Sequence, residues 1–101
     1  MKVFVQSVNF NADKELVEFV ENKIISLEKY YDKIVDSEVF LKVQQTSDKE
    51  NKIAEVKINV SGGEFMVKKS CKTFEQGVTK AVDSLKRQLN KRKEKQRAHH
   101  V

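Results

Sequence analysis

The hydrophobic pattern of this chain changes period twice, and that constrains its fold more than any other feature. Leu16, Val20, Ile24, Leu27 and Tyr31 recur in steps of four, four, three and four, one face of an amphipathic helix. From Val35 onward the period falls to two. Val35, Val39, Leu41 and Val43 alternate with Asp36, Glu38, Phe40 and Lys42. Ala54, Val56, Ile58 and Val60 alternate with Glu55, Lys57 and Asn59, and Phe65, Val67 and Cys71 continue the pattern after a turn. Helical spacing then returns in Phe74, Val78, Ala81, Val82, Leu85 and Leu89. With Lys2 to Val8 as a first short strand, the predicted order is β-α-β-β-β-α.

Strands that are apolar on one face need only one face covered. Two amphipathic helices can do this for a four-stranded sheet. The expected fold is therefore α+β, a two-layer sandwich with both helices on one face. A right-handed β-α-β crossover makes the first two strands parallel, and hairpins make the other pairs antiparallel.

Local signals mark the element ends. Asn9 to Ala12 reads as a turn and Asp13 as the N-cap of a helix running to about Tyr31. Thr46 to Asn51 is a polar turn, and Ser61-Gly62-Gly63-Glu64 is a hairpin signal whose glycines tolerate positive φ. Thr73-Phe74-Glu75-Gln76 fits a capping box. The apolar stripe of the second helix ends at Leu89, so the basic segment beyond it is expected to project from the core and fray. We divide the chain into a folded domain, 1–90, and a basic helical extension, 91–101.

Composition bounds the function. At 101 residues the chain is one domain. The single cysteine, Cys71, permits no internal disulfide and falls on the inward face of its strand. No apolar run approaches the roughly 20 residues needed to cross a bilayer, and the N-terminus lacks a signal-peptide core. A cytoplasmic location without membrane contact is expected.

Charge is segregated. Between Lys86 and Arg97 stand seven basic residues and one acid, Glu94, which leaves 13 basic and 14 acidic residues elsewhere. A near-neutral domain with a basic helical end suits a polyanion, and nucleic acid is the expected one. Lys80, Arg87 and Lys91 lie within roughly 40° of one another on the solvent side of the second helix, a ridge continuing into Arg92 and Lys95. On the first helix, Glu18, Glu21 and Glu28 occupy one flank. Asn22, Ser26, Lys29 and Lys33 occupy the other, with Lys23 near the core edge. Side by side, the helices would leave a groove suited to a phosphate backbone. The bland alternative is a solvated charged face whose lysines complement the helix dipole.

Other chemistries find no support. The order of strands and helices along the chain and the lack of a K/R-G-F/Y-G/A-F run exclude an RNA-recognition motif, and Ser61-Gly62-Gly63-Glu64 lacks the GK[ST] of a phosphate loop. His99 and His100 have no ligand-spaced cysteine or carboxylate, so no metal is expected. Tyr30, more exposed than Tyr31, could stack on a base. There is no catalytic constellation, so neither enzyme activity nor a cofactor is expected.

Three segments together resemble one family. They are Asn9-Phe10 through Leu16, the helix ending Leu27-Glu28-Lys29-Tyr30, and Asp83-Ser84-Leu85-Lys86-Arg87-Gln88-Leu89-Asn90-Lys91. The turn Gly62-Gly63-Glu64 and the cap Thr73-Phe74-Glu75 also sit where this family has its own. The chain resembles the short ribosome hibernation promoting factor and ribosome-associated inhibitor A family over nearly its whole length. The resemblance implies a fold similar in layout to double-stranded RNA-binding domains. It implies binding to the small ribosomal subunit and its rRNA at the decoding centre, where the protein blocks mRNA and tRNA in stationary phase or stress. Basic residues of both helices contact rRNA in that family, and the matching positions here are Lys23, Lys29, Lys86, Arg87 and Lys91. Ser26 departs, standing where relatives often carry a basic residue.

The reading that follows is a non-enzymatic translation inhibitor, monomeric when free, acting on single ribosomes or on ribosome dimers formed with separate partner factors. Its rRNA-binding set is Lys23, Lys29, Lys80, Lys86, Arg87, Lys91, Arg92 and Lys95. The rivals are a generic double-stranded RNA-binding module and a protein-interaction module using Phe4, Phe40, Ile53 and Met66 on the outer sheet face.

Overall fold

The computed structural model describes residues 1–47 and 49–98, with side chains through residue 95. Its elements are β1 (Lys2–Val8), α1 (Lys14–Ile25), a 3-10 turn (Ser26–Lys29), β2 (Ile34–Val43), β3 (Lys52–Val60), β4 (Gly63–Cys71) and α2 (Phe74–Ala98). The strands form one sheet in the order β1-β2-β3-β4. β1 runs parallel to β2, and the other neighbours are antiparallel. α1 packs on β1, α2 packs on β3 and β4, and the helices touch each other. The result is the expected two-layer α+β sandwich.

One parity of each strand faces the helices. Val39, Leu41, Ala54, Val56, Ile58 and Val67 are buried with Val20, Ile24, Leu27, Tyr31, Val78, Leu85 and Leu89 in a single cluster. Burial of these side chains is the dominant favourable term, about 25 cal/mol for each Å² of apolar surface removed from water. Both helix starts use the side chains read from the sequence. The Leu16 amide donates to Asp13 Oδ1 at 2.8 Å, and the Gln76 amide donates to Thr73 Oγ1 at 3.1 Å. Asn9 adopts a φ of 68°, a left-handed conformation that asparagine tolerates, and turns the chain from β1 toward α1. Phe10 then stacks on Phe74, ring centroids 4.8 Å apart, joining the two helix starts.

Three details differ from the sequence expectation. First, α-helical bonding stops at Ile25 rather than near Tyr31. The Ser26 hydroxyl donates to the Lys23 carbonyl, competing with the backbone ladder, and the chain tightens into the 3-10 turn. Leu27 and Tyr31 stay buried, so the apolar stripe survives the change of winding.

Second, Val35 does not share the inward face with Val39 and Leu41. The β2–β3 register shifts between Ile34 and Asp36, and Val35 is 60% exposed. An extra residue in one strand reverses the alternation on one side of it. Beyond the shift the inward position goes instead to Ile34, which packs against the core, while Ser37 stays in phase with Val39 and Leu41 and is fully buried.

Third, α2 continues unbroken to Ala98 rather than fraying after Leu89. The residue next in phase with Leu85 and Leu89 is Arg92, which is half-buried and anchored to the rest of the domain.

Candidate nucleic-acid interface

The face of α2 opposite the core carries Lys80, Arg87 and Lys91, all exposed, as the ridge predicts. Acids interrupt it: Asp83 and Glu94 lie on the same side by helical phase.

Arg92 does not belong to that ridge. Its Nε donates to Tyr31 Oη at 3.1 Å and its Nη2 donates to the Ser61 carbonyl at 3.1 Å. The guanidinium carbon stands 5.9 Å from the Phe65 ring centroid. One side chain thus ties α2 to the end of the 3-10 turn and to the β3–β4 hairpin. The hairpin glycines make room for it. A Cβ on Gly62 would come within 3.3 Å of Nη2, and one on Gly63 within 3.3 Å of Nη1. Only Gly62 needs glycine for its backbone, at φ +84°. At Gly63 an added Cβ would only press the end of the Arg92 side chain back by a few tenths of an ångström.

The flank of α2 that faces α1 is a second basic region. Lys86 is half-buried, with Nζ 4.8 Å from the Tyr30 ring centroid, a cation–π contact linking α2 to the residue after the 3-10 turn. Lys93 lies two turns further on the same flank. With Glu28, Lys29, Tyr30, Tyr31, Asp32 and Lys33 it lines a pocket of about 350 Å³. Lys29 is exposed there. Lys23 is half-buried on α1, Nζ 5.7 Å from the Phe19 ring centroid. The opposite end of the inter-helix region is acidic, since Asp13, Glu15 and Glu75 share a pocket with Leu16 and Phe19.

Lys95 lies with Phe65, Gln88, Lys91 and Arg92 around a pocket of about 320 Å³ where α2 passes the hairpin. The fold therefore distributes the eight expected residues over several places. Lys80, Arg87 and Lys91 share the outer ridge. Lys86 and Lys29 lie by the Tyr30 end of the inter-helix region, and Lys23 lies on α1 beside Phe19. Lys95 borders the hairpin, and Arg92 is the anchor. Lys93, absent from the expected set, was recoverable from its spacing of seven from Lys86. Phe65 was not, because it read as an ordinary inward strand residue.

The outer sheet face is less apolar than expected. Phe4 and Met66 are exposed, Phe40 is half-buried and Ile53 is only 5% exposed. Charged pairs cross it, with Lys57 Nζ 3.3 Å from Glu64 and 3.9 Å from Glu38, and Lys68 Nζ 3.8 Å from Glu55. Among the described residues no group of three or more His, Cys, Asp or Glu could hold a metal. His99 and His100 lie outside the described residues. No described helix is long and apolar enough to cross a membrane.

Comparison with known proteins places this geometry. The model of a family described as Sigma 54 modulation protein / S30EA ribosomal protein matches residues 3–97. The ribosome hibernation promoting factor of Escherichia coli K12 is 30% identical over 99 residues, covering 98% of this chain and 100% of that protein. The protein of the same name from Pseudomonas putida KT2440 is 28% identical over 98 residues, covering 97% and 92%. The N-terminal domain of Thermus thermophilus Protein Y superposes with a TM-score of 0.78 at 22% identity, covering 90% of this chain and 98% of that one. A ribosomal subunit interface protein from Coxiella burnetii superposes with a TM-score of 0.80 at 18% identity, covering 92% and 98%. The structural likenesses establish the shared fold. The sequence match over nearly the whole chain establishes that the protein belongs to the Sigma 54 modulation protein / S30EA ribosomal protein family.

Proposed function

We propose that this protein inhibits translation in the cytoplasm by occupying the small ribosomal subunit at the decoding centre, where it excludes mRNA and tRNA in stationary phase or stress. The observation that carries the reading is the placement of charge on α2. A near-neutral sandwich presents one long helix with an exposed basic ridge and a basic flank beside Tyr30. The relatives' name, ribosome hibernation promoting factor, supplies the biological context.

The mechanism is steric and electrostatic and needs no bond-making step. Residues 1–90 are the folded plug, and the described part of α2 beyond them, through Ala98, extends its basic end. Lys80, Arg87, Lys91 and Lys95 are assigned to rRNA phosphates from the outer side of α2, and Lys23, Lys29 and Lys86 from the helix-pair side. Arg92 contributes chiefly by holding the hairpin against α2. Each phosphate neutralised releases counterions, so affinity should fall with salt at a log-log slope of about −0.7 to −0.9 per contact. The protein is monomeric when free, and ribosome dimers, where they form, involve separate partner factors as well.

The test is binding to purified small and large subunits, with naked duplex RNA and then mRNA plus initiator tRNA as competitors. Selective small-subunit binding, displaced by mRNA and tRNA, is the expected result. Equal affinity for both subunits and for free duplex would overturn the reading in favour of a generic double-stranded RNA-binding module.

A further inference from the structure

We infer that the pocket between the end of α2 and the β3–β4 hairpin, bounded by Phe65, Gln88, Lys91, Arg92 and Lys95, holds an unpaired nucleotide of the bound RNA. The inference rests on the RNA-binding reading above and goes beyond it, because phosphate contacts alone require no such pocket.

The occupant is identified by the lining. Three of the five residues are cationic and none is acidic. Three other pockets of comparable size all carry carboxylates: Glu28 and Asp32 in one, Asp13, Glu15 and Glu75 in another, and Glu38 in the third. An anionic occupant is therefore favoured here specifically. The surface inside the rim is mostly carbon, supplied by the Phe65 ring and the stems of long side chains. An occupant with a flat apolar part and a negative charge next to it matches both properties, and a nucleotide has both. The volume of about 320 Å³ is at the lower end of the roughly 300–1,000 Å³ typical of small-ligand sites.

The site is also pre-organised. Arg92 is fixed through Tyr31 and Ser61, so a planar guanidinium stands beside Phe65 before any ligand arrives. Unpaired bases are recognised by stacking on aromatic rings and on arginine planes. The Gln88 side-chain amide is partly engaged, with Nε2 3.4 Å from Ser84 Oγ, a distance long enough to yield to a better partner. Its carbonyl and remaining N–H suit a base edge. Lys91 and Lys95, one turn apart and exposed, are placed for the flanking phosphates.

The experiment uses the full chain and two probes, a short single-stranded RNA carrying 5-iodouridine and a blunt RNA duplex. Phe65→Leu keeps an apolar side chain on β4 but removes the ring, and circular dichroism with a thermal melt checks that it folds. The expected result has two parts. Ultraviolet irradiation crosslinks the single strand at Phe65, and Phe65→Leu weakens single-strand binding about five-fold or more while duplex binding is unchanged. Crosslinks confined to other residues, or single-strand affinity unchanged by Phe65→Leu, would overturn the inference and leave the ribosome reading standing. Displacement of the strand by uridine monophosphate at matching concentration would reassign the pocket to a free nucleotide. Wild-type protein that binds neither RNA nor the small subunit would sink the RNA reading itself.

Discussion

Replacing Arg92 by methionine tests how the basic end of α2 is held. Methionine keeps an apolar stem near Phe65 and removes the guanidinium. Two hydrogen bonds are lost, to Tyr31 Oη and to the Ser61 carbonyl, each 3.1 Å. A hydrogen bond from a charged donor contributes about 1.5–3 kcal/mol when shielded. The bond to Ser61 is at the surface and Arg92 is only half-buried, so solvent screening lowers both values, and we expect a total of roughly 1.5–2 kcal/mol. For a domain of this size that lowers the melting midpoint by about 6–16 °C. Urea unfolding of Arg92→Met, Tyr31→Phe and the double variant gives the coupling directly, expected at about 0.5–1.5 kcal/mol. Lys91→Met is the control. It removes the same charge from the neighbouring exposed position and should cost less than about 0.5 kcal/mol. If Arg92→Met melts within about 2 °C of wild type, or if the cycle is additive within about 0.3 kcal/mol, Arg92 is not an anchor and belongs with the ridge.

Other substitutions probe separate parts of the molecule. Reversing Arg87 and Lys91 together to glutamate should weaken small-subunit binding sharply, with the fold intact and the salt slope reduced by roughly 1.5, and normal binding by a folded double variant would remove the ridge from the mechanism. Gly62→Ala should cost about 1–2 kcal/mol, because a Cβ there meets both a φ of +84° and the Arg92 guanidinium, and Gly63→Ala should cost less, because only a flexible side chain must move; equal losses in urea unfolding would contradict this. Ser37 Oγ is buried with no hydrogen-bond partner among the described residues, so Ser37→Ala should leave stability unchanged or raise it by up to about 1 kcal/mol, and a clear loss would show that the hydroxyl is satisfied.

What could be read in advance is local. The stripe Leu16, Val20, Ile24, Leu27 and Tyr31, the alternation in β3, and the caps at Asp13 and Thr73 involve neighbours within a few residues, where period and side-chain chemistry suffice. Errors arose where a local rule met a competitor. Ser26 resembles any helix residue until its hydroxyl takes the Lys23 carbonyl. Val35 fits the alternation until the register with β3 shifts. For the candidate interface, charge and helical phase identified Lys80, Arg87 and Lys91 as one exposed ridge, but they could not separate Arg92 from it.

Element order, the sheet-plus-two-helices architecture and the concentration of positive charge on one helix are legible along the chain. These follow from periodicity, capping and composition, which act over short separations along the chain. What each charge touches depends on the packed fold. Arg92 meets Tyr31 across 61 residues and Ser61 across 31, and Lys86 meets Tyr30 from the other helix. Such contacts form because the sheet brings the hairpin and the 3-10 turn to the same end of α2. The position of a charge along the chain is a local property, but its partner is set by which elements the hydrophobic core packs together.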